Sequence, residues 1–481
     1  MQKIARGIGI LLLAGNLVPA AYGLYFRLDG DRLWIQANQT PLIDILDQFS
    51  RAGVEVLCDP SIKATVTGSI RGLGLDDALD DLLESYDYLL TWKMLRGPLG
   101  HIPKLKEIRI FLPGEESASR PIPRRSGRFE TTRGVAGTSP EFVKDELLIG
   151  ARVGTTYEQF QRLLDEIGGM IVEADATTGI YLIRFPPGTN VEALLQRLQD
   201  NPLVAHAELN YVSRLPGNIS ARTSQLPVLP NVSPPADGSI PVAVLDSGLD
   251  PRAGLGKIVT AGWDAVEPGR ALADPQGHGT QMAILASGLL PADGLEAAGA
   301  VLPLVSVRAF DEDGKTSNFA ILQALAYAAQ AGAKVVNMSW GSETDSEFLH
   351  AAIEAASRKG LTLVAAAGNQ PTGQAIYPAA YPEVIAVAGA TGSQAWSGSN
   401  YGDFVDLSAS ASANLPAGTY VGTSISSATV ANALARYLAQ HPGASAATAR
   451  TALVQALSPA PGAGYGQGLL DAAAIQRFLA P

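Results

Sequence analysis

The stretch Pro241-Val-Ala-Val-Leu-Asp246-Ser-Gly248 decides how the second half of this chain is read. Four consecutive apolar residues are too few for a helix and read as a buried strand, and a carboxylate ends it. Similar apolar runs recur at 302–307, 335–338, 361–366 and 384–387. Helical patterns separate most of them, so the predicted fold class is α/β, a parallel sheet flanked by helices on both faces. In such sheets sites form beyond the C-terminal ends of the strands, where Asp246 stands.

Working outward from Asp246, two more motifs open helical patterns. Gly277-His278-Gly-Thr precedes one, and Gly422-Thr-Ser424 precedes the other. A hydroxyl at a helix N-terminus benefits from the backbone dipole, which favours negative charge developing nearby. A serine alone is a weak nucleophile. It needs a neutral histidine to take its proton and a carboxylate to fix the imidazole tautomer. The chain order here is Asp, His, Ser. Esterases and lipases with a nucleophile elbow run Ser, Asp, His, and no G-x-S-x-G surrounds Ser424. The remaining histidines, His101, His206, His350 and His441, lie outside any comparable motif and read as structural or exposed.

These blocks resemble the signatures of subtilisin-like serine peptidases, a similarity running from about Ser239 to Ala473 and including the ending Gly464-Tyr-Gly-Gln-Gly-Leu-Leu-Asp471. The resemblance implies a catalytic triad of Asp246, His278 and Ser424. It also implies that Asn369, in Ala365-Ala-Ala-Gly-Asn369, holds the oxyanion with the Ser424 backbone N–H. Ser339, Trp340 and Gly341 resemble the family's substrate-binding strand, whose backbone would pair with an extended peptide. There are departures. Ala428 stands where relatives usually have proline, Gln281 follows the His motif, and the 290–299 loop does not match the calcium loop of many relatives. Asp311-Glu-Asp-Gly314 reads as an acidic turn. No metal and no cofactor are expected.

Residues 141–212 show two helical patterns, at Phe160, Leu163, Leu164, Ile167 and at Val191, Leu194, Leu195, Leu198, set among four strand-like segments. Thr155 with Glu158 and Thr189 with Glu192 are the predicted capping boxes, and Gly168 the predicted stop. The order β-α-β-β-α-β is ferredoxin-like. The unit resembles the inhibitor-type propeptide of the same family, ending in Ala207-Glu-Leu-Asn-Tyr211-Val, which implies an intramolecular inhibitor. Residues 24–113 form a small αβ N-terminal module, with Thr40 and Pro41 opening a helix and a lone Cys58 in a strand. Gln39-Thr-Pro-Leu42 and Gly74-Leu-Asp-Asp-Ala-Leu79 resemble the short N-terminal domain of secretins and TonB-dependent receptors, implying an envelope protein partner. Residues 114–140 read as a linker, 213–238 as a second linker with the maturation site, and 239–481 as the catalytic domain.

Lys3 and Arg6, the apolar run 8–18, and Ala20, Ala21 and Gly23 form a signal-peptide pattern over residues 1–23. Asn16 interrupts the run, which is short for a membrane anchor. The expected location is therefore the periplasm, the cell envelope or the exterior. A net charge of −11 argues against nucleic acid as a partner. A single cysteine makes no internal disulfide. The leading expectation is an exported serine endopeptidase made as a self-processing zymogen and acting on protein or peptide substrates. The rivals are an envelope binding protein with a silent protease domain, and a triad esterase.

Overall fold

The computed structural model describes residues 24–480, apart from 30, 98, 123–128, 135–139, 217–228, 230–231, 269, 297–299 and 417. The expected signal peptide and most of the expected maturation segment lie outside the described residues. The chain divides into two compact units. One comprises the residues up to 126 together with 144–209, and the other comprises 127–143 and 210–481.

The first unit begins with a three-stranded antiparallel sheet, Leu24–Asp29, Arg32–Pro41 and Thr65–Gly74. Helices Leu42–Arg51 and Leu75–Leu82 close over a core that includes Phe49, Leu46, Leu79 and Cys58. Thr40 ends a strand rather than capping the first helix, which has Pro41 at its N-cap and no side-chain cap bond. The strand-like run 105–112 is the end of a long hairpin, Asp87–Gly97 with Gly100–Phe111, whose first strand was not legible because its outer face alternates polar residues with exposed Met94 and Trp92. The linker expected after residue 113 is partly ordered: Arg120 pairs with Cys58, and Thr131–Arg133 pairs with Glu141–Val143. Burial pushes the Cys58 thiol up to about 11, so it stays protonated and unreactive near neutrality.

The ferredoxin-like order is observed. Strands Glu141–Ala151, Met170–Ala174, Ile180–Arg184 and Val204–Arg214 are arranged second, third, first, fourth, with helices Tyr157–Ile167 and Val191–Gln199. Each cap falls one residue later than the sequence suggested. Thr156 accepts from Gln159 N while the Gln159 side chain accepts from Thr156 N, and Asn190 accepts from Ala193 N. Thr155 and Thr189 instead bond carbonyls at Leu203 and Pro186. Gly168 ends its helix as expected.

The second unit is a parallel α/β domain. Eight strands follow one another across the sheet: Val259–Asp264, Leu304–Arg308, Val242–Asp246, Val335–Met338, Thr362–Ala366, Val384–Thr391, Leu407–Ser410 and Leu469–Leu470. All seven neighbouring pairs are parallel. Chain order reverses at Val242–Asp246, the kind of switch point where α/β sheets open a crevice. The helices His278–Ser287 and Thr423–Gln440 pack against each other and against the sheet, and the first is buried along its whole length. That explains their sequences: Ala, Ser, Thr and Gly replace an amphipathic pattern, because small side chains let a helix be covered on every side. Leu229 and Val232, in the expected loose segment, are packed into this same core.

Replacing Thr156 with alanine removes one half of a reciprocal cap. It should lower the stability of the first unit by about 1 kcal/mol, read as earlier melting by calorimetry of the full chain.

Candidate active site

Asp246 ends the central strand and is wholly buried. Its Oδ1 accepts from Ser247 N at 2.7 Å and lies 2.6 Å from His278 Nδ1. His278 is the first residue of its helix, and a network holds it there. Asp274 Oδ1 accepts from Gly277 N at 2.8 Å, and Oδ2 accepts from Thr280 N at 2.8 Å and from Thr280 Oγ1 at 2.6 Å. Ser247 Oγ donates to Asp274 Oδ1 at 2.7 Å and accepts from Gly279 N at 2.8 Å. Asp274 thus ties the helix start to the strand end. The signal for it in the sequence is an Asp shortly ahead of a helix start, whose carboxylate satisfies orphan N–H groups.

Two glycines allow the approach. A Cβ on Gly279 would overlap the Gly248 carbonyl oxygen and sit 3.2 Å from Asp246 Cβ. Gly248 has φ +118°, and a Cβ there would overlap the Ala273 carbonyl. The Asp-Ser-Gly and His-Gly-Thr motifs are therefore halves of one contact.

His278 is only 4% exposed. Burial works against its charged form, but the Asp246 carboxylate, through charge and the Nδ1 bond, and the Asp274 charge outweigh it, so its pKa is raised above the ordinary histidine value. Its Nε2 is buried without a hydrogen-bond partner among the described residues. A carboxylate on Nδ1 fixes the tautomer that leaves Nε2 as a proton acceptor.

Ser424 lies in the first turn of the helix Thr423–Gln440 and is buried. Its Oγ donates to the Ser339 carbonyl at 3.4 Å, so the hydroxyl is turned to the Ser339 strand rather than bonded to His278. Catalytic hydrogen bonds are often loose before substrate arrives. Asn369 follows the strand Thr362–Ala366. Its Oδ1 accepts from Thr423 N at 2.9 Å and Thr423 Oγ1 at 2.8 Å. With the carbonyl end so held, the NH₂ end is turned toward Gly422, where a Cβ would come within 3.1 Å of Nδ2.

Of the expected substrate strand, Ser339 and Gly341 offer backbone, while the Trp340 side chain does not serve the site. It is 2% exposed, its Nε1 donates to Leu245 O at 3.1 Å, and its ring lies against Phe310. Gly341 forms an antiparallel bridge with Arg214. The acidic turn at 311–314 is internally bonded, Asp311 Oδ1 accepting from Asp313 N at 3.0 Å and Lys315 N at 2.9 Å. His350, Glu354 and Glu383 bring ligand-type atoms within 4.8 Å of one another, but His350 is bonded to Glu383 and Glu354 to Arg358. His441 bonds the Tyr437 carbonyl, and His101 is exposed.

A buried acid–imidazole pair at the switch point of this sheet, with a serine at a neighbouring helix start, is the arrangement the resemblance to subtilisin-like serine peptidases implies. The Subtilase family profile matches residues 237–469, and that of the fervidolysin N-terminal prodomain matches 131–210. The chain is 30% identical over 279 residues to a thermophilic serine proteinase of Bacillus sp. (strain AK1), covering 55% of this chain and 69% of that protein. It is 32% identical to thermitase of Thermoactinomyces vulgaris, over 45% of this chain and 81% of thermitase. Fervidolysin of Fervidobacterium pennivorans, a keratinolytic enzyme related to subtilisin, superposes with a TM-score of 0.56 at 19% identity, over 74% of this chain and 64% of that one. This chain belongs to the subtilase family, and the module before its catalytic domain is a fervidolysin-like prodomain.

Two outcomes test the geometry. The His278 imidazole, followed by NMR, should titrate above an ordinary histidine, and Asp274→Asn should move it downward. Gly279→Ala should force strand and helix apart, abolishing the downfield proton signal of a short Nδ1–H···O bond.

Proposed function

We propose that Asp246, His278 and Ser424 are the triad of this peptidase and that Asn369 Nδ2, with the Ser424 N–H, holds the oxyanion. The observation that carries the reading is the 2.6 Å contact between Asp246 and His278 with Nε2 left free. His278 Nε2 takes the Ser424 proton as Oγ attacks the scissile carbonyl, and returns it to the leaving amine. Asp246 keeps the imidazole oriented and stabilises its positive charge. The carbonyl oxygen becomes an oxyanion, and the Asn369 amide meets that charge from a position fixed by Thr423. Water then repeats the sequence on the acyl-enzyme.

The fervidolysin-like prodomain supports a zymogen in which residues 141–212 inhibit the protease until the chain is cut beyond them. The polar, Pro-rich composition of 213–238 supports that stretch as the place of maturation, and the leading 23 residues support export to the envelope or exterior. The compact first module supports a docking role like that of the secretin and TonB-receptor short domains, toward an envelope protein. Membership of the peptidase family, with each of the catalytic blocks intact, supports an active peptidase over the silent-protease and esterase readings.

Because Nε2 must be neutral and its pKa is raised, kcat/KM should fall on the acid side from a higher pH than an ordinary histidine would give, and Asp274→Asn should move that limb to lower pH. Asn369→Ala should lower kcat by about 10²–10³ with KM little changed, the effect known for such a donor in subtilisin. Ser424→Ala should accumulate as the unprocessed chain on a denaturing gel. Cutting at the wild-type rate would mean that another protease matures it.

A further inference from the structure

The tail of the prodomain runs on into the second unit as an extended strand. Val212, Ser213 and Arg214 pair antiparallel with Ser317, Thr316 and Lys315. The pattern continues one residue further, where Leu215 N donates to Gly314 O at 3.0 Å. In an extended chain the N–H and C=O of successive residues point to opposite sides. Ser213 and Leu215 therefore address the 315–317 strand, while Arg214 addresses the other side, where it bridges Gly341. The Ser213–Pro216 segment is thus framed by two strands, as a bound peptide would be. The buried Ser213 and exposed Arg214 fit that placement.

The register identifies which residue meets the nucleophile. With Arg214 opposite Gly341 in an antiparallel pair, Leu215 falls opposite Trp340 and Pro216 opposite Ser339. Ser339 O is the atom to which Ser424 Oγ donates. The carbonyl brought to Ser424 is then that of Pro216. By the same alternation, the N–H of the residue at this position faces Ser339 O and would hold the peptide against the strand. Proline has no N–H.

We propose, resting on Ser424 being the nucleophile, that Pro216 makes the chain's own tail a resistant occupant of its cleft. The segment is bound in substrate register, but the group that would fix its carbonyl for attack is missing, so the bond after Pro216 breaks slowly and the enzyme remains occluded. A misplaced carbonyl costs rate because attack needs a near-attack geometry.

The test follows processing of the purified full-length chain, with the new N-terminus read by mass spectrometry. Pro216→Ala restores the N–H and should be cut at least about tenfold faster, the worth of one hydrogen bond, with Gly217 as the new N-terminus. No acceleration, or a terminus other than Gly217, overturns the proposal. The doubly substituted Pro216→Ala/Ser424→Ala chain should not gain that terminus. If it gains it as fast, self-processing is the reading that fails. Hydrogen exchange in the Ser424→Ala chain then decides the register: protected amides at Arg214 and Leu215 support it, and free exchange at both overturns it.

Discussion

The Asp246–His278 contact is the constraint around which the catalytic unit is arranged. Two groups that water would solvate strongly are held together almost entirely out of solvent, and such a pair is tolerable only when its surroundings supply the lost hydrogen bonds. They do so through Ser247 N on the carboxylate and through the Asp274 network on the helix start. Gly248 and Gly279 give the strand end and the helix start their closeness. A change in any of these acts on the imidazole without touching substrate.

The same demand for closeness runs through the rest of the unit. The helix that carries Ser424 is lined with Ser, Thr and Ala and is buried against strands of the sheet and the helix His278–Ser287. Ser426 and Ser427 each donate to a carbonyl, so their hydroxyls are satisfied inside the protein. Beneath the sheet's far edge, Arg308 is 5% exposed and donates to Asp264 at 2.8 Å, a second buried pair that fixes the strand next to Asp246. Close packing of small residues leaves the site little freedom to relax.

How much of this could be read in advance varied with the range of the interaction. Asp246, His278, Asn369 and Ser424 stood in short motifs whose residue types are chemically constrained, so their neighbourhoods were legible. The strand at Val259–Asp264 was not, because only one of its residues is buried and the apolar run is broken. The caps at Thr156 and Asn190 fell one residue from the expected positions, since adjacent polar residues compete for the same turn and only packing decides between them. Trp340 follows the strand Val335–Met338, and the direction of its side chain depends on Phe310 and Leu245, far away in the chain. Asp274 bonds the helix start a few residues on, but its tie to Ser247 joins two elements far apart in the chain.

The strand Thr131–Arg133, which opens the prodomain match, bears on release. Through Glu141 it belongs to a cluster in which Arg214 donates to Glu141 and Lys315 stands 3.5 Å from the same carboxylate. Phe129, Val143 and Val212 meet Ala320 beside it. None of these contacts depends on the peptide bonds after Arg214. On the proposed zymogen reading, severing the chain and freeing the cleft would therefore be two separate events. The first is chemical, and the second is the dissociation of a complex held by apolar contact and by charges partly open to salt. A chain cut there would, on the proposed zymogen reading, stay together until those contacts part, so ionic strength as well as proteolysis would set when the cleft opens.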